Sequence, residues 1–196
     1  MTGPVLRFAN QIAAQGYIVA APACFHEFEY GSAPIPYDVK GTDAGNEYKV
    51  KKLLSATDED IQKAIDTLME HPNCNGRIGS TGMCYGGHLA FRVRLCSRPF
   101  LSSSSLHFLT LELTFPRRPT SRPQTALDPR CRAAVGYFPT DIHSASLSPD
   151  GDDSLERASR GEIKGEVALI FGTQDGHVVR PLPLLLPLST MRTSTR

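Results

Sequence analysis

Tryptophan is absent from the 196 residues, and neither charge sign dominates, since 21 basic and 20 acidic side chains leave a formal charge of +1. So neutral a chain has little long-range field to gather polyanions, which argues against nucleic acid or an anionic membrane as a partner. Long apolar runs are missing too. None approaches the roughly 18 residues that a bilayer span needs, and Arg7, Asn10, Gln11 and Gln15 interrupt the first twenty positions, where a secretory leader would be unbroken. The five cysteines, at 24, 74, 84, 96 and 131, form no Cys-x-x-Cys pair and no zinc-type cluster. Reduced thiols in the cytoplasm are expected, with no metal and no other cofactor.

What is present is an alternation of helical and strand patterns. Val5, Phe8, Ala9, Ile12 and Ala13 share one face of a helix predicted over 4–15, with Pro4 in its first turn and Gly16 at its end. Tyr17 to Ala21 is a short continuous apolar run closed by Pro22, which predicts a strand buried on both faces. From Cys24 to about Val50 no period is visible, and a long loop is expected. Residues 56–70 predict a helix with Thr57 as N-cap and Ile61, Ala64, Ile65 and Leu68 on its apolar face, stopped at His71-Pro72. Strands are expected near 77–81, 133–138 and 167–171, so the fold class is α/β, a mostly parallel sheet flanked by helices.

One segment carries chemistry. Gly82-Met83-Cys84-Tyr85-Gly86 has the form Gly-x-nucleophile-x-Gly between a strand and a helix, the setting of a nucleophile elbow. The tight turn strains the nucleophile's backbone, and Cβ atoms at Gly82 and Gly86 would collide with the neighbouring strand and helix, with Gly87 widening the clearance. At a helix N-terminus the thiol of Cys84 meets the positive end of the dipole, which favours the attacking thiolate. The backbone N–H of Tyr85 is then one oxyanion donor. The competing structural reading makes Cys84 a small buried hydrophobe in a glycine-rich turn.

The stretch GRIGSTGMCYGGHLAFR resembles the elbow of the dienelactone hydrolase family, α/β-hydrolases with Cys in place of Ser, and ALDPRCRAAVGYFPTD and LIFGTQD resemble the segments that follow it there. The resemblance covers residues 3–92 and 126–178. It implies an α/β-hydrolase-like fold, a hydrolase of small-molecule lactones or esters, Cys84 as nucleophile and Asp175 as the acid that orients a histidine. Asp175 also lies just past a predicted buried strand, on the edge where open α/β sheets build their sites.

The chain departs from the family in three places. The family's His follows its Asp by a few tens of residues, yet among His26, His71, His88, His107, His143 and His177 only His177 lies beyond Asp175. Two positions along the same loop, it is poorly placed both to bind that acid and to reach a thiol on another loop. His26, beside Glu27, is a further loop histidine within range of a pocket, though a solvated role suits it better. Residues 93–125, with five Arg, one Glu, a Ser run and four Pro, interrupt the helix after the elbow, and residues 179–196 contain no acid. Both begin Val-Arg, and every Val codon starts with the dinucleotide that opens introns. The expectation is one domain over 1–178, interrupted by an intron-derived or disordered 93–125 and followed by an aberrant tail at 179–196. The family's strand and loop before the first helix, which supply a second oxyanion N–H, also have no counterpart, so the sheet is expected to be incomplete at both ends. Two function classes compete: a thiol hydrolase, and an inactive α/β scaffold or small-ligand binder. A redox-responsive thiol is weaker, because no cysteine pair has resolving spacing. Oligomeric state is left open.

Overall fold

The computed structural model describes residues 3–29, 34–93, 130–142, 144, 146–163 and 165–172. Its elements are α1 (Gly3–Ala13), α2 (Val39–Lys51), α3 (Leu54–Glu70), β1 (Ile78–Met83), α4 (Tyr85–Val93), β2 (Cys131–Tyr137), α5 (Ser154–Ser159) and β3 (Glu166–Ile170). The three strands form one parallel sheet in the order β1-β2-β3. Parallel neighbours need crossovers, which α4 and α5 provide in sequence.

Two apolar clusters hold the layers together. Phe91 from α4 and Ala158 from α5 pack with Ala134, Ile142, Val167 and Leu169. Ile61 and Ile65 of α3 pack with Ile78 and Cys131 at the other end of β1 and β2, with Leu68, Met69 and Val93 around them. The helical spacing of Ile61 and Ile65 thus buries the face that the sequence assigned to the core.

The structure corrects the sequence reading at several elements. Tyr17 to Ala21 is not a strand, and Tyr17, Ile18 and Val19 are 67%, 40% and 37% exposed. Apolarity makes a segment fit for burial, but a ladder partner makes it a strand, and among the described residues nothing pairs with it. β1 likewise has no neighbour on its outer edge among the described residues, and Gly79, Thr81 and Met83, on one of its faces, are exposed. α1 forms as its pattern predicts, yet none of its residues is buried. The expected loop over 24–50 contains α2, whose two glycines hide its period. The signals were at its ends, where the Asp38 side chain caps by accepting from Gly41 N at 2.7 Å, and Lys49 and Lys51 complement the last turn. α3 starts at Leu54, so Thr57 is not its cap but lies buried in the first turn, donating to Leu53 O at 3.3 Å. The orphan N–H of Leu54 is satisfied from far along the chain, by Ser148 Oγ at 3.1 Å.

Of the expected insertion and tail, residues 94–125 and 179–196 lie outside the described residues, as do His107, His143, Asp175 and His177. Among the described residues no helix is long and apolar enough to cross a membrane.

Candidate active site

Cys84 occupies the single-residue turn between β1 and α4, at φ +52°. That left-handed conformation is uncommon outside glycine and marks stored strain. Three backbone bonds hold it. Cys84 N donates to Tyr137 O at 3.0 Å, and Cys84 O accepts from His88 N at 3.1 Å and Thr140 N at 3.3 Å. The turn is therefore tied to its own helix and to the carboxyl end of β2, while the Cys84 side chain remains exposed.

The glycines divide by what surrounds them. A Cβ on Gly82 would stand 2.2 Å from Gly86 O, and one on Gly87 would stand 2.9 Å from Tyr137 O. A Cβ on Gly86 would meet nothing within 4 Å. Of the clashes expected from sequence at Gly82 and Gly86, only that at Gly82 is found, Gly86 being the backbone surface that Gly82 approaches, and Gly87 adds a close contact of its own. Gly136 completes the fit from β2, since its Cβ would lie 2.9 Å from Gly87 O. A Gly82→Ala substitution is expected to open the turn, because the three atoms it would meet, Gly86 O, Gly86 C and Gly87 N, are all backbone. The fold should lose about 1–3 kcal/mol or more, read by urea denaturation, and Cys84 should lose its labelling selectivity over the other thiols.

Tyr85 opens α4, so its N–H is among the four that a helix start leaves without an intrahelical acceptor. Its ring stacks on Phe25, with centroids 5.3 Å apart and planes 14° from parallel. Burial, the larger effect, outweighs the contact with Thr57 and pushes the Tyr85 phenol well above its ordinary range. Phe25 also meets Tyr48 edge-on at 5.9 Å, and Tyr48 stacks on Phe28 at 4.8 Å. The segment after Pro22 thereby leans an aromatic wall against the elbow.

That segment is anchored by Lys52, which is 2% exposed. Its Nζ donates to Cys24 O at 2.9 Å and Asp60 Oδ2 at 2.5 Å, and pairs with Glu27 Oε1 at 3.3 Å. His26 Nε2 reaches the same Asp60 carboxylate at 3.1 Å. Burial pulls the Asp60 carboxyl upward, but the bonds from Lys52 and His26 outweigh it and hold it below its ordinary value. Folding brings ligand atoms of His26, Glu27 and Asp60 within 4.8 Å of one another, a grouping that sequence spacing does not reveal. The Lys52 ammonium already bonds Asp60 and Glu27, so it supplies the positive charge that the carboxylates need. His26 thus belongs to this anchor, and its bond to Asp60 gives it a role that the sequence did not show.

At the same sheet edge Lys49 Nζ donates to Asp141 Oδ2 at 2.7 Å, and Asp141 has φ +65°. Burial raises the Asp141 carboxyl, yet the Lys49 contact prevails and holds it low.

The register fixes where β3 ends relative to the elbow. Met83 and Ile170 are both level with Tyr137, from opposite sides of β2. At about 4.8 Å per strand spacing, the chain leaves β3 roughly 10 Å from the elbow and on the same edge. Asp175 follows five positions later in the sequence.

Residues 4–103 match the Dienelactone hydrolase family. The chain belongs to that family. A protein of Saccharomyces cerevisiae (strain ATCC 204508 / S288c) named "Putative carboxymethylenebutenolidase" is 45% identical over 182 residues, which cover 91% of this chain and 54% of that protein. The chain thus spans about half the length of this curated relative. Family membership accounts for the parallel sheet with its flanking helices, an α/β-hydrolase fold.

Proposed function

We propose that this family member is a thiol hydrolase of small-molecule lactones or esters. The carrying observation is the strained, exposed Cys84 at the start of α4. The thiolate attacks the carbonyl carbon, the carbonyl electrons move onto oxygen, and the Tyr85 N–H receives the oxyanion. Collapse expels the alkoxide, which takes a proton from a histidinium, and leaves a thioester. Water, deprotonated by the same histidine, then releases the acid and the thiol.

Asp175 is the acid of this scheme, supported by the exit of β3 at the elbow's edge. The histidine is its open member. His177 is two residues from Asp175, too near in the chain to span acid and thiol, and His88 is buried against Asp152. We read residues 93–125 and 179–196 as translated intron, the latter standing where the family carries its base. A spliced message that still encodes both would overturn that reading. Among the described residues Cys24, Cys74, Cys84 and Cys131 form no disulfide, which supports a reducing cytoplasmic location.

The test is incubation with p-nitrophenyl acetate. The expected result is a p-nitrophenolate burst matched by acetylation of the Cys84 peptide, both lost in Cys84→Ala. Slow continued release marks the hydrolase. One stoichiometric acylation without turnover marks the alternative, an inactive scaffold with a reactive thiol. Release that persists in Cys84→Ala refutes the nucleophile.

A further inference from the structure

Behind the elbow lies a polar cluster that the reaction scheme does not use. His88, one turn into α4, is fully buried, as is Arg92 one turn later at 1% exposure. Asp152, on the segment before α5, accepts at Oδ1 from Ser154 N at 3.0 Å, Ser154 Oγ at 2.5 Å and Arg92 Nη1 at 3.2 Å. Its Oδ2 stands 2.8 Å from His88 Nε2, which is also 3.4 Å from Ser154 Oγ. Beyond that 2.8 Å contact Asp152 Oδ2 has no polar partner among the described residues, and His88 Nδ1 has none. Burial pushes the Asp152 carboxyl upward, but its contacts with His88 and Ser154 win and hold it low.

A cluster of this kind is a poor way to stabilise a fold. Desolvating ions offsets their attraction, and well-packed apolar side chains of similar volume often do as well or better. Two buried atoms with incomplete hydrogen bonding add to that cost. What the cluster provides is direction. His88 N is one of the two donors to Cys84 O, so the position of residue 88 sets the turn on which the thiol sits.

We propose that His88 is a positioning residue for the nucleophile, its imidazole clamped by Asp152 so that the first turn of α4 presents its N–H groups to the Cys84 sulfur and to the oxyanion beside it. The proposal rests on Cys84 as nucleophile but not on turnover. A small rotation of the first turn would misalign N–H groups whose effect falls off within that turn.

The experiment is peptide-resolved iodoacetamide labelling of Cys84 in the full chain across pH 5–9, on the native protein and on His88→Leu, His88→Gln and Ile65→Val, with thermal melts alongside. Leu fills the volume and removes the polar clamp. Gln keeps an N–H donor near the Nε2 position. Ile65→Val, in the distant α3 cluster, reports mild destabilisation alone. His88→Leu is expected to slow labelling near pH 7 about threefold to tenfold, through an alkaline shift of its midpoint of about half to one pH unit. His88→Gln should recover most of the rate, and Ile65→Val should match the native protein whatever its melting temperature. Native labelling in folded His88→Leu overturns the proposal, as does slowing in Ile65→Val that tracks stability equally. Should His88→Leu fail to fold, Asp152→Asn replaces it, because it weakens the clamp from the other side, and native labelling there overturns the proposal too. Failure of ester hydrolysis with labelling intact would refute the function and leave the positioning role standing.

Discussion

A chain in which residues 93–125 and 179–196 are replaced by the corresponding segments of the yeast relative is expected to hydrolyse an activated ester at least about 10³-fold faster than the sequence as it stands. Catalytic groups that act as a unit are strongly non-additive: a nucleophile without its base keeps only what binding and the oxyanion donors contribute. The elbow already has the features that are hardest to build, a left-handed Cys84, the close Gly82–Gly86 approach and the tie to Tyr137. In the proposed scheme the elbow still needs a base to take the thiol's proton and return one to the leaving group. Supplying it should act chiefly on kcat, because proton transfer is needed at the transition state rather than in substrate binding. The repaired protein with Cys84→Ala should fall back to the background of the buffer. Steady-state rates of both chains and of the alanine variant, measured side by side, decide the matter. Equal rates before and after repair would refute the missing base, and a repaired enzyme indifferent to Cys84→Ala would refute the nucleophile.

The parts of this site that could be read from the sequence are those encoded locally. The elbow needs only adjacent residues, so Gly82, Cys84, Tyr85 and Gly87 could be placed before any coordinates. Of the three paired strands, β2 and β3 are short apolar runs, and β1, Ile-Gly-Ser-Thr-Gly-Met, is legible from its place between a turn and the elbow. What escaped was whatever depends on a distant partner. The Tyr17–Ala21 run has the composition of a strand but no neighbour in the sheet, and α3 takes its cap from Ser148, far along the chain. Nothing in His88-Leu89-Ala90-Phe91 announces that Asp152 lies against His88. A buried arginine is credible only when its carboxylates are known, and those of Arg92 are 34, 60 and 61 positions away. Lys52 illustrates the same blindness, buried among Cys24, Glu27 and Asp60 through contacts no spacing rule reveals.

Arg92→Ala is expected to destabilise the fold by about 3–5 kcal/mol, the cost typical of breaking a buried ion pair from one side. Arg92 binds Asp58 with two parallel bonds, Nε to Oδ1 at 2.7 Å and Nη2 to Oδ2 at 2.9 Å. Its Nη1 also serves Asp152, Asp153 at 2.8 Å and Ser154 Oγ at 3.0 Å. One guanidinium therefore joins α3, α4 and the segment leading into α5. Removing it leaves the buried Asp152 carboxylate with His88 and Ser154 alone. Lysine should not rescue, since a point charge cannot reproduce the planar fork that spans Asp58 and the 152–154 segment together. Asp153→Asn is the contrasting case. Its side chain is 41% exposed, so solvent already screens its share of the contact and the loss should stay below about 1 kcal/mol. Urea denaturation of the three variants measures the difference, and an Arg92→Ala protein as stable as Asp153→Asn would mean that the guanidinium does not hold these three elements together. The labelling of Cys84 separates the two roles in the cluster: in the fraction of Arg92→Ala that remains folded His88 still contacts Asp152, so the thiol's midpoint should move less than in His88→Leu even though the fold has lost more.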